Sequence, residues 1–337
     1  MARKLKSDKL LFTATLLLVC TSVVMVYSAS AVLAMERFQE PYYFLFKQVT
    51  WVFIGLCLLP IVMKIDYRQY REPAVIWTGL AIVVLALVAV LFSRPIKGAT
   101  RWLDVGFLGI QPSELAKLAI IVFIAALLER RMERIDDLSS LLPAGIVLGI
   151  VVALILAQPD LGTALAVVTI AAVMVFAAGL SYTYLFCLCL AALPALYFLV
   201  VTYEYRWKRL VAFLDPWSNP LGEGWQMIQS MIAVGTGGIF GRGLMEGVQK
   251  LFYLPEPHND FIYAVLAEEL GLVGASIVLG CFCLITWRGL RVAVRAPDRF
   301  GAFLAIGLTT MIAFQAFFNI SVVLGMLPTK GIPLPFV

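Results

Sequence analysis

Nine apolar stretches, each near or above the roughly 20 residues that cross a hydrocarbon core of about 30 Å, recur along the chain and decide what it can fold into. They run Leu10–Leu33, Phe44–Met63, Ala74–Phe92, Ser113–Leu128, Leu142–Ala157, Leu161–Ala178, Tyr184–Val201, Phe261–Trp287 and Phe300–Leu327. In lipid a spanning segment has no water to satisfy its backbone, so each stretch must be a helix; a barrel is excluded. The expected fold class is all-α, a polytopic membrane helix bundle with nine spans. Composition agrees: 62% of residues are hydrophobic and 14% charged, against about 25% charged in soluble domains. The first stretch, with basic residues before it and Ser28-Ala29-Ser30-Ala31 after it, has features of a signal peptide, but its apolar core is longer than a signal requires.

The net charge of +5 is too small and too dispersed for binding nucleic acid, which is not expected as a partner. It is better read as loop charge that orients helices. With the N-terminus cytoplasmic, the inner segments hold Arg3, Lys4, Lys6 and Lys9, then Lys64, Arg68 and Arg71, then Arg130, Arg131 and Arg134, and last Arg288, Arg291, Arg295 and Arg299. The outer segments hold fewer, and more than half of those fall in the long loop Thr202–Asp260 or after the last span, where they weigh little. That loop and Ser93–Pro112 then face outward, and any chemistry belongs on that side. The six cysteines all sit in apolar runs without a CxxC pair, as small hydrophobes rather than disulfides or metal ligands.

The chain reads as one transmembrane domain over 1–337 with a large outer loop at 202–260. The loop interleaves Tyr203, Tyr205, Trp207, Trp217, Trp225 and Phe240 with glycines and prolines, so it should be structured at the membrane interface. Trp225–Ala233 is amphipathic enough to lie flat among headgroups. The glycine run Gly235–Gly243 suggests a tight loop, but it lacks GxxxxGK[ST] and follows no strand, so it is not a phosphate loop.

Charges inside spans cost about 2.5–3.5 kcal/mol each on insertion scales and are functional candidates by default. Glu114 and Lys117 lie one turn apart behind Pro112, on one helix face, where they either neutralise each other or line a polar cavity. Glu268 and Glu269 have no basic residue within a turn, so at least one needs a partner from elsewhere. Asp260 stands at the mouth of the eighth span in Pro257-His258-Asn259-Asp260-Phe261. It is placed either to cap that helix or to act as a general base for an incoming hydroxyl, a role that His258 beside it also suits. Asp160, in the tight outer hairpin Gln158–Thr163, is most simply a cap. Arg206 and Arg209, with Lys208, form a basic cluster suited either to an anionic headgroup or to anchoring the seventh span.

With these residues in view, the chain resembles the SEDS family, the shape, elongation, division and sporulation proteins typified by RodA and FtsW. The resemblance covers nearly all of the chain. Its landmarks, in order, are Lys97–Trp102, Gln111–Lys117, Gln158–Thr163, Pro257–Phe261, Glu268–Gly271 and Leu327-Pro328-Thr329-Lys330-Gly331. The last of these and the lead-in Tyr253–His258 look more like the division member than the elongation member. The chain stops at Leu334-Pro335-Phe336-Val337, where the family continues into a Ser-Tyr-Gly-Gly-Ser stretch and a tenth helix, so the expectation is a chain shortened before that helix.

The resemblance implies a peptidoglycan glycosyltransferase that polymerises lipid II at the outer face of the bacterial inner membrane. It also implies a class B penicillin-binding transpeptidase and other divisome or elongasome membrane proteins as partners. Asp260 matches the family's essential aspartate, within a motif that includes His258 and Asn259; the family's cavity residues carry over onto Glu114 and Lys117. Arg101, Arg206 and Arg209 are candidates for diphosphate and headgroup contacts on charge and placement. A divalent cation, Mg or Mn, would suit a departing diphosphate, although no carboxylate cluster in the sequence marks a site for one, and no organic cofactor is expected. A lipid-linked precursor flippase, or a scaffold that only recruits the transpeptidase, are the competing readings.

Overall fold

The computed structural model describes residues 8–93, 100–105, 108–132, 135 and 137–337. Arg3, Lys4, Lys6, Lys97, Gly98, Ala99 and Arg134, which entered the sequence reading, lie outside the described residues. Eleven helices are described: α1 (Lys9–Phe38), α2 (Tyr43–Lys64), α3 (Pro73–Leu91), α4 (Pro112–Arg131), α5 (Leu138–Ala157), α6 (Leu161–Ala177), α7 (Tyr182–Val201), α8 (Glu204–Leu214), α9 (Trp225–Gly237), α10 (Ile262–Val294) and α11 (Arg299–Val323). A single antiparallel ribbon, β1 (Leu103–Val105) with β2 (Leu108–Ile110), accompanies them among the described residues. The fold is an all-α membrane bundle, as its apolar periodicity requires.

Local chemistry sets the helix ends. Pro73 and Pro112 occupy first positions of α3 and α4, where a missing N–H costs nothing. Asp8, Asp137 and Asp160 cap α1, α5 and α6 through the N–H groups of Leu11, Ser139 and Thr163.

Each expected apolar stretch is mostly helical, and among the described residues seven helices are long and apolar enough to cross a membrane on their own terms: α1, α2, α3, α5, α7, α10 and α11. α6 is short at 17 residues, and α4 carries Glu114, Lys117, Glu129, Arg130 and Arg131. Packing explains why α4 tolerates this load. It is the central helix of its unit, touching α3, α5 and α6.

The chain forms two compact units. One comprises 65–192 and 289–314. Its core joins Ile120, Ile121, Ile124 and Leu128 of α4 to Leu87, Ile155, Ile170, Met174 and Phe300. At its basic end Asp298 accepts from Tyr67 Oη at 2.7 Å, from Arg68 Nε at 3.0 Å and from the Gly301 N–H. Burial raises the Asp298 carboxyl, but these bonds outweigh it and hold the group below the usual carboxylate range.

The other unit comprises 1–64, 193–288 and 315–337. α1 packs on α2, and α2 buries none of its residues, the pattern of a helix that faces lipid. In the 202–260 loop α9 packs on protein: Met227, Ile228, Gln229, Ser230 and Ala233 are buried, and Ser230 Oγ donates to the Val323 carbonyl at 2.8 Å. In the same loop α8 carries exposed apolar side chains on one face, Trp207, Val211 and Leu214.

The glycine run after α9 is also more specific than a tight loop. Gly271 has φ +67° and ψ −167°, which breaks α10 into segments 262–270 and 272–294. The break leaves carbonyls without helical donors, and the glycine run supplies them: Arg242 N–H donates to Glu268 O at 3.0 Å and Gly243 N–H to Glu269 O at 3.1 Å. Leu272 and Val273 N–H groups return bonds to Gly238 O and Ile239 O. The eighth span is therefore residues 272–294, still long enough to cross, and 262–270 is a buried segment on the loop side.

Candidate active site

In the unit holding the outer loop, Asp260 precedes α10. The first backbone bonds of α10 run from Ala264 and Val265 N–H to Phe261 O, which puts Phe261, not Asp260, at the cap position. The Asp260 carboxylate lies against Gly331 of the C-terminal segment, in the space a methyl group there would fill. Its main-chain carbonyl accepts from Asn319 Nδ2 of α11 at 2.7 Å. The same Nδ2 donates to Ile332 O at 2.8 Å.

Arg209 joins this arrangement from α8, donating Nη1 to Thr329 O at 3.1 Å, two residues from Gly331, while its guanidinium covers the Tyr205 ring at 4.4 Å. Arg206 does not pair with it. It turns back to Leu199 O at the end of α7, at 2.8 Å, and stacks over Tyr203, so its first role is to satisfy a helix C-terminus. Lys208 is engaged by Glu204 at 2.8 Å.

His258 is the weaker candidate for a base. Its side chain is 8% exposed, 3.9 Å from the Glu256 carboxylate and packed on the Phe44 ring at 4.5 Å. Asn259 donates to Glu256 Oε2 at 3.3 Å, so both residues shape the loop that delivers Asp260.

Glu268 and Glu269 find the external partners that their spacing required. Glu269 accepts from Lys250 Nζ at 2.6 Å, Ser28 Oγ at 2.6 Å and the Met245 N–H at 3.0 Å. Glu268 accepts from the Val248 N–H at 2.9 Å and faces Arg242 at 3.6 Å. The pair is a buried anchor for the loop, not an open carboxylate site. Lys250, Ser28 and Asn319 escaped the sequence reading, and for Asn319 a signal existed: a polar amide in the middle of an apolar span.

In the other unit, Lys117 is 2% exposed and its ammonium meets the Glu114 carboxylate at 2.7 Å, with Asp160 near enough for its charge to act on the ammonium. Glu114 itself is 42% exposed at its side chain. Asp160 is the expected cap, accepting from Thr163 N–H and, at 2.7 Å, Thr163 Oγ1. Gln111 Nε2 approaches it at 3.5 Å. Arg101 donates to Gln158 O at 3.3 Å and Pro159 O at 2.6 Å, which closes the α5–α6 turn and leaves the rest of its fork for another acceptor. Among the described residues no group of three His, Cys, Asp or Glu side chains is placed to hold a metal ion.

Residues 8–337 match the model of the cell cycle protein family that takes in FtsW, RodA and SpoVE. The chain belongs to that family. It is 44% identical over 331 residues to the "Probable peptidoglycan glycosyltransferase FtsW" of Geobacter sp. (strain M18), covering 98% of this chain and 90% of that protein. It is 42% identical over 343 residues to the stage V sporulation protein E of Bacillus subtilis (strain 168), covering 99% and 92%. Among solved structures it resembles a chain of a peptidoglycan synthase complex described as coordinating polymerization and crosslinking, with a TM-score of 0.80 and 31% identity over 98% of this chain and 91% of that one. It also resembles the rod shape determining protein RodA of Thermus thermophilus, with a TM-score of 0.70 and 29% identity over 99% and 90%. These matches bear out the SEDS resemblance and its lean toward FtsW.

Proposed function

We propose that this chain is a peptidoglycan glycosyltransferase that polymerises lipid II, with Asp260 as the general base. The observation that carries the reading is Asp260 at the mouth of α10, its main chain tied to Asn319 and its carboxylate against Gly331, in a family whose relatives are named for this activity. A sugar hydroxyl has a high pKa, so its attack on the anomeric carbon needs an acceptor for the proton; the Asp260 carboxylate takes it as the new glycosidic bond forms. The bond from the anomeric carbon to the diphosphate breaks, and undecaprenyl diphosphate leaves with the electron pair. Arg209, braced on Thr329 O in the same unit as Asp260, keeps donors for that anion. The family resemblance assigns substrate binding to Glu114 and Lys117 as well. No step is assigned to a metal.

The same reading places the protein in the bacterial inner membrane with a cytoplasmic N-terminus and the 202–260 loop outside. Its cross-linking partner is a class B penicillin-binding transpeptidase, in keeping with the synthase complex it resembles. The deciding experiment is polymerisation of lipid II by purified wild type, Asp260→Asn and His258→Gln with the transpeptidase present. Asp260→Asn should lose about 10²–10⁴-fold in glycan synthesis while keeping its thermal midpoint and its partner. A loss confined to His258→Gln would move the base to the histidine. Wild type that makes no polymer would favour a flippase or scaffold.

A further inference from the structure

Two residues hold Asp260 in place, one at its main chain and one at its carboxylate, and neither needs to touch a substrate to do so. Asn319 is 1% exposed on α11, and both neighbours of its Nδ2 are carbonyls, of Asp260 at 2.7 Å and of Ile332 at 2.8 Å. That environment sets the amide orientation, because the flipped amide would press its oxygen against two other oxygens. One carboxamide thus ties the entry of α10 to the C-terminal segment. Two further bonds brace the same assembly: Ser230 Oγ holds Val323 O and Arg209 holds Thr329 O.

Gly331 works on the side chain. Its backbone is not in the left-handed region, so the main chain does not demand glycine there. What a Cβ would meet is the Asp260 carboxylate itself: Oδ2 first, then Cγ, then Oδ1. The bare Cα is the floor on which the carboxylate rests.

We infer that Asn319 and Gly331 are positioning residues for proton transfer at Asp260, Asn319 through the Asp260 main chain and Gly331 by leaving the carboxylate its place. The inference rests on the reading of Asp260 as the base. A general base works only within hydrogen-bond reach of the proton it takes, and a displacement of about 1 Å is enough to cost about 10²-fold. A leucine has the same branched skeleton as asparagine and would occupy the Asn319 site without the two bonds. A methyl at Gly331 meets only the movable end of a side chain, so that variant folds and shifts the carboxylate.

The test is a pair of double-mutant cycles. Asn319→Leu and Gly331→Ala are each made in wild type and in Asp260→Asn, with the transpeptidase present, and rate and KM for lipid II are measured beside the thermal midpoint. In wild type each should lower kcat by about 10- to 100-fold with KM unchanged. In the Asp260→Asn background neither should lower the residual rate further, because the group they position is already gone. Equal fold-losses in both backgrounds, or a loss carried by KM, would overturn the inference, as would wild-type kcat in Gly331→Ala. If Asn319→Leu fails to fold, Gly331→Ala alone decides. The two readings fail separately: an active Asp260→Asn removes the base, whereas an inactive Asp260→Asn beside fully active Asn319→Leu and Gly331→Ala removes only the positioning role.

Discussion

Lys117 and Lys250 are both buried ammonium groups, yet they are held in different ways. Lys250 has Glu269 at 2.6 Å and Ser28 at 2.9 Å, in a network whose carboxylates also take backbone N–H groups. Lys117 relies on one carboxylate that is itself 42% exposed, an arrangement that satisfies the charge while keeping its partner reachable from outside the core. Removing one member of a buried pair leaves an uncompensated charge, at a cost of about 3–5 kcal/mol when both are fully buried. For Glu114→Ala the low end, about 3 kcal/mol, is expected, since the pair is buried on one side only. It should appear as a lower thermal midpoint together with lost polymerisation. The double variant Glu114→Gln with Lys117→Met should regain the midpoint and stay inactive. Polymerisation at the wild-type rate by the double variant would take both residues out of the substrate site.

Among the elements, α10 shows how a span is modified for a task. Nothing in the run from Phe261 to Trp287 signals a break, since Gly271 alone is compatible with a continuous helix. The break exists because the 238–243 segment docks there by four backbone bonds. A Cβ on Gly271 would meet Gly241 N and Ile239 O, and one on Gly241 would meet Glu269 O; both glycines also have positive φ, +67° and +82°. Gly271→Ala therefore combines strain with backbone overlap that no side-chain motion relieves. It should destabilise the unit by more than about 3 kcal/mol, seen as a lower thermal midpoint and faster proteolysis of the 238–256 loop. A variant of wild-type stability would mean that the kink is not required for docking. The helices themselves were legible in the sequence because an apolar run is a local property, and so were Asp160 as a cap and the pairing of Glu114 with Lys117 one turn away. The inward packing of α9, the Gly271 break and the Lys250–Glu269 pair were not, since each depends on residues far apart in the chain. Asn319 sat between these cases: the rule that flags charges in spans also flags amides, and only the charges were weighed.

For the whole molecule, the assignment of Asp260 to the outer surface depends on how many helices cross. Seven meet the requirement by length and composition, and α4 and α6 fall short of it. If only one of these two failed to span, every later loop would change sides and the Asp260 loop would face the cytoplasm. Packing argues that both span, because α4 packs on α3, α5 and α6, and α6 on α4 and α5, so neither must present apolar surface to lipid on every side. Cysteines placed at Glu40, Gln69, Trp102, Ser139, Pro159, Tyr182, Phe240 and Arg295 test this, since all eight positions are exposed and each intervening pair brackets one of the helices α2 to α6, α7 with the loop helices, or α10. With Ser139 at the very start of α5, labelling by a membrane-impermeant maleimide on intact spheroplasts should alternate: Glu40, Trp102, Pro159 and Phe240 positions react, and Gln69, Ser139, Tyr182 and Arg295 positions react only after permeabilisation. The six native cysteines lie within α1, α2, α7 and α10 and should stay silent, because a membrane-impermeant reagent does not enter the hydrocarbon. Two neighbouring positions reacting from the same side would identify the helix between them as one that does not cross. If that helix were α4 or α6 alone, Phe240 would be labelled only after permeabilisation, and polymerisation at the outer face would have to be abandoned along with the orientation.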